Sequence, residues 1–360
     1  MQKNETVLRV ILVLTSVFIS LLAGELIVRD YRAGFKNLIT EKGGNLVEHH
    51  FRGLYAYDPL LGWVPRSNVS IEKWDTTVST LDDGIRSNGP QKTLNKNLRI
   101  LVVGDSYAFG DEVADNETWP AQLELLTNYE VLNAGVSSFG FDQIILRAEE
   151  LIPKYKPDIV ILSLIYDDVE RCAQYVRHGV PKPYFILKNG LLVVKNQPVP
   201  FIQGTRLDWF RQFFGYSHLF HKIMSRFFPS YWWAGTQNED FRYLNNVREV
   251  PEIIELLLEK LARHRGTPQM IVFITGGIKV DEIEKDFIDL IIDKIQVRLP
   301  SLRIVNHIPT LIQLKRDNPD EFYKLYIKDS PYHHFSAHGN LSMATVLAEQ
   351  INKELSGRGE

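Results

Sequence analysis

Apolar and polar positions along this chain fall into blocks of two kinds. The first block is unbroken: VILVLTSVFISLLAG at 10–24 is apolar on every face, and the apolar character runs from Val7 to Val28. A stretch of that length crosses a bilayer as one helix, with Arg9 and Glu25 near its ends. A cleaved signal peptide is the rival reading, but Ala23-Gly24-Glu25 is a weak cleavage site. The pattern therefore predicts an uncleaved signal-anchor and its flank over residues 1–32. Lys3 and Arg9 precede the span while Arg29, Arg32 and Lys36 follow it, so charge orients it only weakly. The short amino end is the easier part to leave in the cytosol, which puts the body of the chain on the periplasmic, extracytoplasmic side.

The second kind of block is short and alternating. After a turn-rich extension at 33–97, with compact patches YDPLLGW (57–63) and DDGIRSNGP (82–90), apolar runs alternate with helical patterns. Strands are expected at 98–103, 129–133, 158–165, 270–275 and 302–306, and helices at 117–127, 141–155, 251–265, 281–297 and 338–355. That order implies a three-layer α/β/α domain over 98–356 with a parallel sheet of about five strands. Residues 170–250 interrupt the rhythm as an insert. Within it, 189–200 reads as a short extended excursion. The segment 207–233 spaces Phe210, Phe213 and Phe214, then Leu219, Phe220, Ile223, Met224, Phe227 and Phe228, as a helix would. The plain expectation is a core-facing amphipathic helix; the sharper one is a lid, or a face resting on the membrane.

Composition narrows the classes. The 360 residues are 44% hydrophobic and 24% charged, which suits a folded globular body. A net charge of -3 offers no global basic field, so no nucleic-acid partner is expected. The single cysteine, Cys172, excludes an intramolecular disulfide and a cysteine-based zinc cluster, and is expected to pack as a small hydrophobe. No motif calls for a metal or an organic cofactor.

The candidate chemistry begins where the 98–103 strand runs into Gly104-Asp105-Ser106. A serine at the carboxyl end of a strand in an open α/β sheet stands where such folds place their sites. It becomes a nucleophile if a histidine takes its proton and amide donors receive the oxyanion. Three further blocks follow in order: Asn133-Ala134-Gly135, Ile165-Tyr166-Asp167-Asp168, and His334-Phe335-Ser336-Ala337-His338-Gly339-Asn340.

Together these four blocks resemble those of the SGNH/GDSL hydrolase superfamily, and the flanking patches and anchor are similar to its membrane-tethered bacterial members. The resemblance covers residues 57–168 and 268–350 and leaves the insert unexplained. It implies the flavodoxin-like SGNH fold, with Ser106 as nucleophile and His334, picked over His333 and His338 by its spacing to Gly339, as base. The main-chain amides of Ser106 and Gly135 would face the oxyanion. Two positions depart from the pattern. Asp167 falls where the family has an oxyanion asparagine; a carboxylate could donate there only if held protonated in an apolar site. The family's aspartate, two or three residues before the histidine, falls on Pro331 and Tyr332. Asp329 is the nearest carboxylate and the expected partner of His334, unless a Ser-His dyad suffices. Asp105 and Asp168 are expected to fix their own turns.

The resemblance implies a membrane-anchored esterase acting on an O-acyl group, such as acetyl on an envelope polysaccharide. Acyl transfer to a glycan hydroxyl uses the same serine and stays open. So does a binding or assembly protein that has lost the chemistry.

Overall fold

The computed structural model describes residues 2–33, 53–90, 95–177, 180–200, 210, 213–228, 232, 242–243, 247–263 and 268–356. They divide into two compact units: one of 1–50, 177–180 and 202–241, the other of 51–176, 181–201 and 242–360. The extension at 51–90 thus belongs to the α/β body, and the insert is shared between the units. The remainder of the 33–97 extension, 34–52 and 91–94, and much of 207–233 lie outside the described residues.

In the first unit, α1 (Gln2–Ala33) is a continuous helix. Its stretch Glu5–Arg29 has a mean hydropathy of 2.4 and is long and apolar enough to cross a membrane.

The larger unit opens with two antiparallel hairpins, β1 (Tyr55–Asp58) with β2 (Gly62–Pro65), and β3 (Ser70–Lys73) with β4 (Thr76–Ser79). Asp58 Oδ1 accepts the N–H groups of Leu60 and Leu61 (both 2.8 Å), closing the first turn locally. The central sheet is built from β5 (Asn95–Val103), β6 (Tyr129–Asn133), β7 (Ile159–Leu164), β8 (Gln269–Ile274) and β9 (Arg303–Asn306), in the spatial order β9-β8-β7-β5-β6. Every pairing is parallel. All six residues of β7 are buried, as the middle strand of a doubly covered sheet requires.

Helix α2 (Ser106–Phe109) follows β5, α3 (Trp119–Thr127) precedes β6, and α4 (Phe141–Tyr155) connects β6 to β7. After β7 come α5 (Tyr166–Arg171) and then, in the first unit, α6 (His218–Phe227). The sheet resumes with α7 (Val250–Ala262), α8 (Glu282–Arg298), α9 (Ile308–Asp317), α10 (Pro319–Lys324) and α11 (Ala337–Ser356). Helix α3 packs with α11, while α4 and α8 pack on α7. The chain steps from β5 outward to β6, then crosses back to β7 on the other side. That reversal is the switch point where such sheets open a crevice at the strands' carboxyl ends.

The five strands and five helices predicted from the pattern are all present, shifted by a few residues at most. Helices α9 and α10 were not predicted. Each is short and begins with a proline in its first turn. The extended excursion is a hairpin of Tyr184–Lys188 with Leu191–Lys195. It is tied to the body by Lys182, whose Nζ lies 2.6 Å from Asp142 Oδ2 on α4, both groups buried. Nζ also donates to the carbonyls of Arg171 (3.3 Å) and Gln174 (3.2 Å).

Removing one partner of a buried pair leaves an uncompensated charge. Lys182→Met should therefore lower the unfolding free energy in urea by about 3–5 kcal/mol. Adding Asp142→Leu should restore most of the loss, because the stranded carboxylate is gone. Equal stabilities of the single and double variants would show that the pair contributes only packing.

Candidate active site

Ser106 opens α2 at the carboxyl end of β5, and Asp105 is the helix N-cap, accepting Tyr107 N–H at 2.9 Å. The Ser106 side chain faces His334 Nε2 at 2.9 Å, with Asp105 Oδ2 a more distant 3.4 Å away. The other ring nitrogen, Nδ1, lies 2.6 Å from Glu112 Oε2. The carboxylate against His334 is therefore Glu112, where Asp329 was expected. Asp329 is exposed, and it is its neighbour Ser330 that turns inward, donating to Glu112 Oε2 at 2.7 Å. His338 is exposed and His333 has a left-handed backbone (φ 52°), so of the three histidines His334 is the one that reaches Ser106.

Hydrogen bonding fixes the tautomer. Burial raises the Glu112 carboxyl, but hydrogen bonds from His334 and Ser330 outweigh it and hold the group below its usual range. An ionised carboxylate only accepts, so the neutral ring donates Nδ1–H to Glu112 and leaves Nε2 to accept from the Ser106 hydroxyl. Burial disfavours the imidazolium. The Glu112 hydrogen bond and the charges of Asp111, Glu112 and Asp105 together more than offset that, so the His334 pKa is raised. Tyr107 packs edge-on against the ring (centroids 5.3 Å apart) and donates its hydroxyl to the His333 carbonyl (3.2 Å).

Each element explains its share of the placement. Gly339 brings the start of α11 against α10: a Cβ there would lie 2.0 Å from the Leu325 carbonyl oxygen. That contact gives the spacing from His334 to a glycine its steric meaning. Gly135 is likewise pressed on α2, where a Cβ would meet Phe109 N at 2.3 Å. Its own N–H is donated to Asn133 Oδ1 (3.1 Å), so the amide expected to face an oxyanion is engaged within its own turn.

Asp167 corrects a second expectation. Its side chain is 60% exposed and 3.6 Å from the Arg171 guanidinium. This is not the enclosed apolar setting in which a neutral carboxyl donates a hydrogen bond. The buried carboxylate of that block is Asp168, which accepts Ile165 N–H (3.0 Å) and pairs with Arg171. Arg171 also reaches Asp105 Oδ2 at 3.3 Å, so the third block braces the turn that carries Ser106. Desolvation raises Asp168 well above an ordinary carboxyl, with Asp105 adding to the effect. Cys172 is buried, and burial pushes its thiol up.

Glu112 escaped the sequence reading because it sits in the irregular loop after α2. What shapes that loop is Arg86, from the GIR patch of the extension. Its fully buried guanidinium donates to the carbonyls of Phe109 (3.2 Å), Gly110 (2.7 Å) and Val113 (2.8 Å) and to Asp115 Oδ1 (3.1 Å). It also lies over the Phe109 ring, 4.8 Å from the centroid. From the YDPLLGW patch, Trp63 Nε1 donates to the Ser137 carbonyl (3.0 Å), and Tyr55, two residues before the patch, donates its hydroxyl to Ser137 Oγ. Ser137 Oγ in turn donates to Asp111 Oδ1 at 2.6 Å. An arginine in a turn-rich patch ahead of the first strand was the available signal. Among the described residues no group of three or more His, Cys, Asp and Glu side chains is arranged to hold a metal ion.

No protein-family model and no curated protein sequence matches the chain. Among solved structures it is similar to a lipolytic protein of the G-D-S-L family from Desulfitobacterium hafniense, at 16% identity over 70% of this chain and 99% of that one, TM-score 0.39. It is also similar to a catalytic mutant of an acetylxylan esterase from Geobacillus stearothermophilus, at 15% identity over 72% and 96% of the two chains, TM-score 0.40. A third, an acetyl xylan esterase, shares 12% identity over 71% and 100%, TM-score 0.40. At such values the reading of the site rests on its own geometry.

That geometry makes two predictions. By NMR, the His334 imidazole should titrate with a midpoint above the ordinary histidine value. Glu112→Gln should move the midpoint down, because burial then acts with less opposition, while Asp329→Asn should leave it in place. A midpoint that follows Asp329 instead would reassign the partner. Arg86→Lys keeps a charge but loses the fork that grips three carbonyls. It should lower the His334 midpoint in the same direction as Glu112→Gln and speed amide exchange over 110–113. An unchanged midpoint in a folded Arg86→Lys protein would limit Arg86 to a structural role.

Proposed function

We propose that the chain is a serine esterase of the SGNH type that cleaves an O-acyl ester. The observation that supports this best is the continuous relay from Ser106 Oγ through His334 to Glu112, at 2.9 and 2.6 Å. In this mechanism Ser106 Oγ attacks the acyl carbonyl as its proton passes to His334 Nε2. The tetrahedral adduct collapses, its C–O bond to the alcohol breaks, and His334 returns the proton to the departing oxygen. Water, deprotonated by the same ring, then releases the acid and restores Ser106. Glu112 stays ionised and steadies the imidazolium formed in both steps. The Ser106 amide, at the first position of α2, is a candidate oxyanion donor, since first-turn amides have no intrahelical acceptor. An intact relay favours catalysis over a decayed binding role.

The same reading takes α1 as a membrane anchor, supported by its uninterrupted apolar span. It takes an acylated sugar of the cell envelope as the substrate class. Acetyl release from an acetylated glycan, compared with transfer to an added sugar hydroxyl, separates hydrolysis from acyl transfer.

A fluorophosphonate should label the native protein rapidly and Ser106→Ala not at all. Ser106→Ala should lose at least about 10⁴-fold in hydrolysis of a short acyl ester. Because the base must be neutral, activity should rise with pH as His334 loses its proton. In Glu112→Gln that rise should occur at lower pH, with a maximal rate reduced by about 10²–10⁴-fold. A native protein that ignores the fluorophosphonate would overturn the assignment.

A further inference from the structure

Within the smaller unit, α6 reverses the usual distribution of side chains on an amphipathic helix. His218 and His221 are both only 3% exposed, while Ile223, Phe227 and Phe228 are 42%, 70% and 57% exposed. At 100° per residue, Phe220, Ile223 and Phe227 share one arc, and Lys222 and Arg226 occupy another. The two histidines sit on the inward side, where His221 Nδ1 accepts from the buried Trp232 Nε1 at 2.9 Å. Phe213, just before the helix, is 68% exposed. The plain expectation of a core-facing helix holds only in part: Phe220 packs against Phe214 and the buried Trp232, while Ile223 and Phe227 on the same arc are turned outward.

The anchor helix fixes where that arc lies. Glu25, near the end of the apolar span, caps α6: its carboxylate accepts from Ser217 Oγ (2.7 Å), His218 N–H (2.8 Å) and Leu219 N–H (2.9 Å). Arg29 pairs with Glu25 at 2.7 Å and donates to the Tyr216 carbonyl. Gly24 makes the contact close, since a Cβ there would come within 3.0 Å of a Leu219 methyl. Between the helices is an apolar cleft of about 500 Å³ whose lining includes Phe18, Leu21 and Leu22 of the span together with Phe213, Phe214 and Ile223. The cleft thus continues the surface of the span itself.

We propose that α6 is a second membrane contact, an interfacial helix that beds Phe213, Ile223 and Phe227 in the acyl region of the leaflet into which α1 leads. Lys222 and Arg226 stand beside them, at the level of anionic headgroups. A helix held at the end of a transmembrane span sits at the depth where aromatic and basic side chains partition together. The proposal rests on reading α1 as a membrane span.

The test uses the full chain reconstituted in vesicles of phosphatidylethanolamine and phosphatidylglycerol. Single cysteines carrying an environment-sensitive fluorophore are placed at Phe227→Cys, Ile223→Cys and Lys222→Cys, with Leu14→Cys reporting the span. Cys172 is buried and does not compete for label. Labels at 227 and 223 should shift their emission to the blue and lose roughly half their intensity to a spin label near the lipid headgroups, while 222 responds less. The label at 14 should be quenched by a spin label deep in the acyl chains. A water-like 227 with a quenched 14 overturns the proposal and leaves the anchor standing. A blue-shifted 227 that no lipid quencher reaches means that protein covers the face, and also overturns it. A water-like 14 would remove the anchor and this proposal together. Fluorophosphonate labelling of each variant confirms that the body is folded.

Discussion

Three backbone carbonyls converge on the guanidinium of Arg86, and the site takes its form around that contact. Phe109 ends the helix that Ser106 begins, and Gly110 and Val113 flank the turn that presents Glu112. A planar cation with a rigid fork can hold three acceptors that would otherwise need three separate donors. Desolvation works against the charge, and Asp115 is the first of the nearby anions to compensate it. The extension that supplies Arg86 is therefore part of the site's framework and not a mere lead-in to the α/β body. Trp63 and Tyr55 extend the same logic to the loop after β6, gripping Ser137 at its carbonyl and its hydroxyl.

Around this frame the protein concentrates buried acids. Asp105, Asp111 and Asp168 are all removed from water, and burial pushes Asp111 and Asp168 upward, with Asp105 adding to the shift of Asp168. Each acid is answered locally: Asp111 by Ser137, Asp105 and Asp168 by Arg171. Asp111 and Asp105, with Glu112, act on His334, whose imidazolium is the one cation that appears and disappears during the proposed reaction. Fixed negative charge near a transient cation is electrostatic preorganisation, and it works best where water is excluded. Tyr107, pressed edge-on against the ring, contributes to that exclusion.

What could be read in the sequence was whatever depends on short spacing. The strand-to-helix turn at Gly104-Asp105-Ser106 and the interval from His334 to Gly339 are local signals with local steric causes. So are the apolar span and the alternation of strands and helices. Glu112 lies 222 residues from its partner in sequence, in an irregular loop just past the Gly110 cap of α2, where no periodicity marks which side chains point inward. Searching close to His334 led to Asp329, but the chain there turns Ser330 inward instead. Asp167 was misleading for a related reason: motif order places a residue in the chain but does not tell whether its side chain ends enclosed or, as here, largely exposed. The orientation of α6 was likewise illegible, because periodicity shows that a helix has two faces but not which one water sees. Helices α9 and α10 did carry a usable mark, a proline in the first turn, and Asn318 caps the second of them.

Ser106 and Glu112 are six positions apart, at the start of α2 and in the loop after it, whereas His334 is delivered from beyond the last strand. A ribosome building this chain thus completes the serine's turn, the Arg86 grip and the Glu112 loop long before any ring can reach them. Until α11 packs with α3 and His334 comes within 2.9 Å, Ser106 lacks the ring that the proposed mechanism needs. In the proposed mechanism reactivity is the last property the chain acquires, so a growing or truncated polypeptide without His334 carries no armed serine.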